Sequence, residues 1–355
     1  MSMDSEQRVL ELVASIRAAD ATAGQLAADR HAALAKPPGS LGRVEELGTR
    51  LAAIARACPP PVPQRPAVVI FAGDHGVLAQ GVSPWPQEVT AMMIGAFCAG
   101  KAAANVIADQ VGARVAVVDV GVATELTAHP GLRDAKVRAG TADLSQGPAL
   151  TREDAARAIL VGADLAAELQ RRDRVDLLIG GEMGIGNTTS AACLIAAFTS
   201  KPAHEVTGRG TGIDEATFDR KLGIVKHALA MHNTNPDDPI GVLAALGGLE
   251  HAALCGLILG AAAARLPLVL DGVNVDAAAL AAVAFSPQAR DYLIAGHRSV
   301  EPGATAALAA LQLEPLLDLE LRLGEGTGAL LALPIVRAAA ALLGKMSTLA
   351  DLDPR

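Results

Sequence analysis

The sequence predicts an α/β protein: a mostly parallel sheet flanked by helices. Three observations carry that reading. Five short apolar runs, 67–72, 114–120, 175–179, 266–270 and 292–295, have the length and β-branched content of buried strands. Segments with helical spacing alternate with them, which implies right-handed crossovers and parallel pairing. Hydrophobic residues make up 51% of the 355 residues and aromatics only 2%, so small aliphatic side chains must fill a closely packed core.

Residues 6–30 place Val9, Leu10, Leu12, Val13 and Ile16 on one side of a helix. Lys36-Pro37-Pro38-Gly39-Ser40-Leu41-Gly42 breaks it, and Ser40 is a candidate cap for a helix over 43–57. Residues 58–66 hold five prolines and read as a linker into the first strand. That strand ends in Gly73-Asp74-His75-Gly76-Val77, polar groups at the carboxyl edge where open α/β sheets bind ligands. A Pro-containing loop with the single tryptophan, Trp85, leads into an apolar helix over 88–108. The second strand ends at Asp119 and Gly121, and 131–148 reads as irregular. Thr151, with Asp154 three residues on, caps a helix to 169. The third strand runs into Gly180-Gly181-Glu182-Met183-Gly184-Ile185-Gly186-Asn187-Thr188-Thr189 and a helix over 190–198. Gly208 to Gly212 opens another helix, bearing Asp214, Glu215 and Lys221. An apolar helix spans 242–264; the fourth and fifth strands end in Asp271-Gly272 and Gly296-His297-Arg298-Ser299. Residues 1–30 and 300–355 have no strands of their own and are expected to pair as a small helical domain beside an α/β domain over 31–299.

Net charge is −8 with no Lys/Arg-rich run, which argues against a nucleic-acid partner but leaves room for a small anion in one basic pocket. The four cysteines form no CxxC pair and read as reduced, buried thiols of a cytoplasmic protein. Residues 1–17 lack a signal-peptide core, and the apolar run 252–264 is too short for a bilayer, so no membrane segment is expected.

Two loops carry the chemistry. In Leu323-Gly324-Glu325-Gly326-Thr327-Gly328, three glycines bracket one carboxylate ahead of an apolar run. A carboxylate against an apolar wall has its charged form disfavoured, which moves it toward the range of a general base. The 180–189 loop exposes backbone N–H groups before a helix N-terminus and suits an anion. Gly181, Gly186 and Thr188 fit a Walker A spacing, but Asn187 stands where that motif needs lysine, which favours a monophosphate, with Lys221 as counter-charge. Asp74, His75, His297 and Asp271 are the residues from which a metal site could be built, but their spacing matches no metal signature.

Five stretches together, Lys36 to Gly42, Gly73 to Val77, Gly181 to Thr189, Leu270 to Gly272 and Arg322 to Gly328, closely resemble the nicotinate-nucleotide–dimethylbenzimidazole phosphoribosyltransferase family. The resemblance implies a Rossmann-like α/β domain with a small helical domain, assembled as a homodimer. It implies transfer of ribose 5-phosphate from nicotinate mononucleotide to 5,6-dimethylbenzimidazole, giving α-ribazole 5′-phosphate for the cobalamin lower ligand. By resemblance Glu325 is the catalytic base. Glu182, Gly184, Asn187, Thr188 and Lys221 surround the ribose phosphate, with Glu182 beside the sugar cation. Trp85, Met93, Ser299 and Leu323 lie near the two bases, and Trp85 and Met93 stand where other members carry smaller or polar residues. No cofactor or metal is called for, because departure of nicotinate neutralises its own pyridinium charge. Two other readings stay open at this point: a nucleotide-binding regulatory module using the 180–189 turn, and a metal hydrolase on Asp74, His75 and His297.

Overall fold

The computed structural model describes residues 4–352. Six strands, β1 (Pro66–Gly73), β2 (Arg114–Gly121), β3 (Leu132–Asp134), β4 (Leu177–Met183), β5 (Leu268–Leu270) and β6 (Leu293–Ala295), form one sheet. Its order is β3-β2-β1-β4-β5-β6, and every neighbouring pair is parallel. The expected mostly parallel α/β architecture is what the chain adopts. The winding reverses between β1 and β4, and a crevice beyond the carboxyl ends of two such strands is where these sheets bind ligands.

Burial follows the pleat. Val69 and Phe71 of β1 face one core, and Val68, Ile70 and Ala72 face the other. Helices Arg152–Asp173, Asn187–Thr199, Leu249–Ala263 and Val273–Phe285 fill the first side. Helices Arg43–Ala55, Ala103–Val111 and Thr327–Lys345 fill the second. Small residues set the spacing. A methyl on Gly162 would strike the Ala253 carbonyl, and one on Gly256 would strike that of Ile159. The Arg152–Asp173 and Leu249–Ala263 helices therefore touch backbone to backbone, which explains how a core nearly free of aromatics closes. At the chain ends, Ser5–Ser15 packs on Arg152–Asp173, while Ala21–Ala33 packs on Arg43–Ala55. Pro302–Leu311 packs on Val273–Phe285, and Thr327–Lys345 packs on Arg43–Ala55 and Ala103–Val111.

Several boundaries differ from the sequence reading, each for a local reason. The helix expected over 6–30 is two, Ser5–Ser15 and Ala21–Ala33, because the Asp20 carboxylate accepts from Ala23 N–H at 2.9 Å and starts a new helix. The helix expected over 88–108 breaks at Gly100, whose φ is +71°, and resumes as Ala103–Val111. The apolar helix over 242–264 is Pro239–Leu246 and Leu249–Ala263, split at Gly247-Gly248. Ser40 caps nothing; Gly42 holds the N-cap position of Arg43–Ala55. Part of 131–148 forms the edge strand β3. β4 runs on through Gly180, Gly181 and Glu182, opposite Val69, Ile70 and Phe71, so the first residues assigned to the anion loop are strand.

Two stretches, Glu88–Val111 and Thr327–Lys345, are long and apolar enough to cross a membrane. The second lays Leu330, Leu333 and Val336 in the core. The first is the pair of helices broken at Gly100.

Candidate active site

The site starts from Asp271 at the end of β5. Its carboxylate accepts from the backbone N–H groups of Gly328 and Ala329 at 2.8 and 3.0 Å through Oδ1, and of Gly326 at 3.1 Å through Oδ2. These are donors at the N-terminus of Thr327–Lys345, where unpaired amides and the helix dipole favour an anion. His297, from the end of β6, brings Nε2 to 3.4 Å from Oδ1. Burial opposes a charge on His297, but the Asp271 carboxylate outweighs it and raises the imidazole above its ordinary range.

This clamp fixes three successive residues in left-handed backbone: Gly324, Glu325 and Gly326, at φ 87°, 65° and 82°. Glycine takes such angles without steric cost; a residue with a Cβ does not. Glu325 thus has a strained backbone held by its neighbours. A Cβ on Gly326 would meet Val68, and one on Gly181 would lie 2.9 Å from the Glu325 backbone, so the loop sits directly on the sheet. Glu325 is 4% exposed. Its Oε2 accepts from Ala104 N–H at 3.4 Å, in the first turn of Ala103–Val111. Burial raises its pKa above the ordinary carboxylate value; the Ala104 amide opposes this and Asp271 adds to it.

Glu325 opens onto a cavity of about 500 Å³. Glu182, Gly184, Asn187 and Thr188 line it from the β4 side. Trp85, Met93, Ser299 and Leu323 line it too, so every residue the family resemblance assigned to substrate or catalysis except Lys221 meets in one place. Glu182 is buried, and desolvation pushes its pKa up to about 7, with Asn274 and His251 lowering it and Glu250 and Asp271 raising it. The Asn187 amide donates to Glu182 Oε2. Asn187 thus spends its side chain on the carboxylate.

Lys221 stands behind the lining. Its Nζ donates to Thr188 Oγ1 at 2.9 Å and to the Gly208 carbonyl at 3.0 Å. Burial lowers its pKa, against the attraction of Glu301. Loop amides are partly committed as well: Asn187 N–H donates to Gly184 O, Thr189 N–H to Gly186 O, and Ile185 N–H to Thr90 Oγ1. The mouth is apolar. Trp85 and Leu323 are each 52% exposed, and the indole N–H of Trp85 donates to Thr211 Oγ1 at 3.3 Å.

Sequence reasoning gave no role to five residues. Asn274 and Glu301 line the cavity, and Glu301 accepts from Gly210 N–H at 2.7 Å. Arg322 donates to the Thr211 carbonyl and ties the Glu325 loop to the Gly208–Gly212 loop. The last two, the adjacent Glu250 and His251, lie buried within an apolar helix, and two charged types in such a run were the available signal. His75 joins this pair, while His297 turns to Asp271, so the Asp74, His75 and His297 grouping does not assemble. His75 Nε2 and Glu250 Oε1 are 2.6 Å apart. That is a hydrogen bond, closer than the roughly 3.3 Å between two donors on a tetrahedral ion about 2 Å from each.

A family model described as "Phosphoribosyltransferase" matches residues 16–352. A Salinispora tropica protein named nicotinate-nucleotide–dimethylbenzimidazole phosphoribosyltransferase is 55% identical, covering 94% of this chain and 96% of its own. The protein of that name from Chloroflexus aurantiacus is 51% identical, with 98% of both chains covered. The crystal structure of CobT from Thermus thermophilus superposes with a TM-score of 0.90 at 48% identity, covering 94% of this chain and 100% of that one.

The chain belongs to the nicotinate-nucleotide–dimethylbenzimidazole phosphoribosyltransferase family. Three of the five motifs that resembled this family in the sequence, 181–189, 270–272 and 322–328, contribute residues to the cavity wall. Asp271→Ala removes a charged acceptor from three backbone donors. It is expected to cost about 3 kcal/mol of stability, read from urea denaturation. An unchanged midpoint would mean that the glycine loop holds itself.

Proposed function

We propose that this protein transfers ribose 5-phosphate from nicotinate mononucleotide to 5,6-dimethylbenzimidazole, releasing nicotinate and forming α-ribazole 5′-phosphate for the cobalamin lower ligand. The observation that carries this is Glu325, a buried carboxylate of raised pKa on a strained loop at the cavity. The acceptor has one proton to lose. One of its ring nitrogens attacks C1′ as the C1′–nicotinate bond breaks, the leaving pair neutralises the pyridinium, and the other nitrogen's proton passes to Glu325. Attack opposite the leaving group turns a β-nucleotide into an α-product. Holding both rings in line across the ribose supplies much of the acceleration through proximity. Glu182 faces the cationic sugar. The 5′-phosphate rests near Thr188 and Gly184, with Lys221 acting through Thr188.

A base must be ionised to act, and Glu325 titrates above the ordinary carboxylate range, so turnover falls as pH drops through that raised value. Glu325→Gln is expected to leave nucleotide binding near normal and cut turnover by about 10²-fold or more, measured as nicotinate released with chelator present. Wild-type turnover in that variant would remove Glu325 from the role. Nucleotide binding without any nicotinate release from the unaltered protein would favour the regulatory module, and chelator sensitivity the metal hydrolase. Lys221→Ala should weaken nicotinate mononucleotide more than the benzimidazole; equal loss for both would make Lys221 structural.

We also propose a homodimer. The Glu88–Val111 stretch is apolar, yet Met92 is 71% and Val106 58% exposed, and a second copy would cover that surface. Sedimentation should give twice the 36.0 kDa chain mass, and a single-chain mass at micromolar concentration would reject the dimer.

A further inference from the structure

Gly210 and Thr211 carry the Gly208–Gly212 loop along the cavity wall, and the loop is pinned at both ends. Towards the mouth, Thr211 Oγ1 accepts from the Trp85 indole N–H at 3.3 Å, and the Thr211 carbonyl accepts from Arg322. At the other end, the Gly208 carbonyl accepts from Lys221 Nζ at 3.0 Å, and Gly210 N–H donates to Glu301 Oε1 at 2.7 Å. The loop brings no stiffness of its own. Gly210 and Gly212 lie at φ +56° and +113°, and the helix Glu215–His232 begins only after it.

Glu301 is seated for this contact. It holds the N-cap position of the helix Pro302–Leu311, where Ser, Thr, Asp or Asn would cap, yet its side chain makes no cap bond. The carboxylate turns to the loop instead. It lies so close to Gly208 that a Cβ there would come within 2.5 Å of both its oxygens. Glycine at 208 is therefore what makes room for it. Glu301 is buried, so the amide it receives offsets a desolvation that water cannot relieve.

The consequence falls on the corner where Thr188 and Lys221 meet. A Cβ on Gly210 would lie 3.3 Å from Thr188 Oγ1 and 4.0 Å from Lys221 Nζ, so the Gly210 backbone closes over both. Thr188 Oγ1 accepts from Lys221 at 2.9 Å and keeps its own hydrogen for an acceptor such as a phosphate oxygen.

We infer that Glu301 is a positioning residue for the donor's phosphate: through Gly210 it holds the Gly208–Gly212 loop down on Thr188 and Lys221, and it does so as a hydrogen-bond acceptor rather than as a charge. This rests on the reading that places the 5′-phosphate near Thr188. The negative charge of Glu301 does not help an incoming phosphate, because two anions in a buried corner repel. Its use is the grip on the amide. A carboxylate that gripped the ribose hydroxyls instead would act on the sugar with or without its phosphate.

That difference sets the test. Binding to the full-length protein is measured by titration calorimetry with nicotinate mononucleotide and with nicotinate riboside, the same donor without phosphate. Glu301→Ala should weaken the mononucleotide about tenfold, as for loss of one amide-to-carboxylate hydrogen bond, and leave the riboside nearly unchanged. Glu301→Gln keeps the acceptor oxygen and drops the charge, and should bind the mononucleotide as the wild type does. In turnover, the alanine variant should raise the KM for the mononucleotide with kcat at saturation little changed. Equal weakening of both ligands overturns the inference in favour of a contact to the sugar. A glutamine variant as weak as the alanine variant overturns it in favour of the charge. Should the variants not fold, the wild type decides. Arg209-Gly210 is the only Arg-Gly pair in the sequence, so ¹³C-carbonyl arginine with ¹⁵N-glycine marks that one amide for NMR. The Gly210 amide should be protected from exchange with D₂O, and exchange at the rate of an unstructured peptide would overturn the inference. A wild type that binds neither ligand and releases no nicotinate would remove the functional reading, while the amide still reports whether Glu301 holds the loop.

Discussion

Everything at the carboxyl end of the sheet depends on one carboxylate taking up the start of one helix. Asp271 leaves β5 buried, where a lone charge would be costly. Three backbone N–H groups of the glycine loop and the nearby His297 ring compensate it. In return the loop acquires a fixed floor, and the strained φ of Glu325 becomes tolerable. Substituting the glycines on either side would close this arrangement. A Cβ on Gly328 would enter the His297 ring, and one on Gly324 would approach Glu182. The packing that lets Glu325 reach the cavity and the packing that brings it near Glu182 are therefore the same feature of the chain.

The second consequence is electrostatic. Glu182, Glu250, Asp271, Asp276 and Glu325 are all buried around the ends of the central strands. Burial and mutual repulsion push Glu182, Asp276 and Glu325 upward, and neither oxygen of Asp276 is hydrogen-bonded. Only Glu250 is pulled down, because two imidazoles grip it. A cavity built this way has little to offer a resting neutral ligand. It favours a positive charge that arrives with the substrate and moves onto the sugar during reaction, and stabilisation confined to that moment raises the rate rather than only the affinity.

The parallel sheet was legible because it is written in local sequence, and the residues of the cavity wall were legible largely through the family resemblance. Apolar runs of strand length announce buried strands, and each ends in glycine beside Asp, Glu or His. What was not legible depended on contacts distant in the chain. Gly180 and Gly181 look like a loop; they are strand because β1 pairs with them and the Glu325 backbone needs the space. The breaks at Asp20, Gly100 and Gly247-Gly248 are single local events that a continuous helical pattern hides. Glu250 and His251 look like misfits in an apolar helix until His75, 175 residues from Glu250, supplies the partner. Lys221 was found for its charge, yet its place behind Thr188 rather than in the cavity follows only from the fold.

The two ends of the cavity differ in what they can discriminate. Around Glu182, Asn187 and Asn274 the wall is polar, with Asn187 donating to Glu182 and Asn274 paired with His251, and a ligand that fails to match it leaves buried polar groups unpaired. Sites of that kind reject wrong partners strongly. Around Trp85, Met93 and Leu323 the wall is apolar, and two of the three are half-exposed. There, one methyl group more or less changes binding by only about 1–3 kcal/mol. On the proposed placement the sugar-phosphate donor is thus chosen by chemistry and the flat acceptor by area. In the proposed reaction the one polar demand on the acceptor comes from Glu325 as base, which requires a ring nitrogen with a proton to give. An aromatic ring of suitable size without such a nitrogen should occupy the mouth without reacting, because affinity there and turnover at Glu325 reside in different atoms.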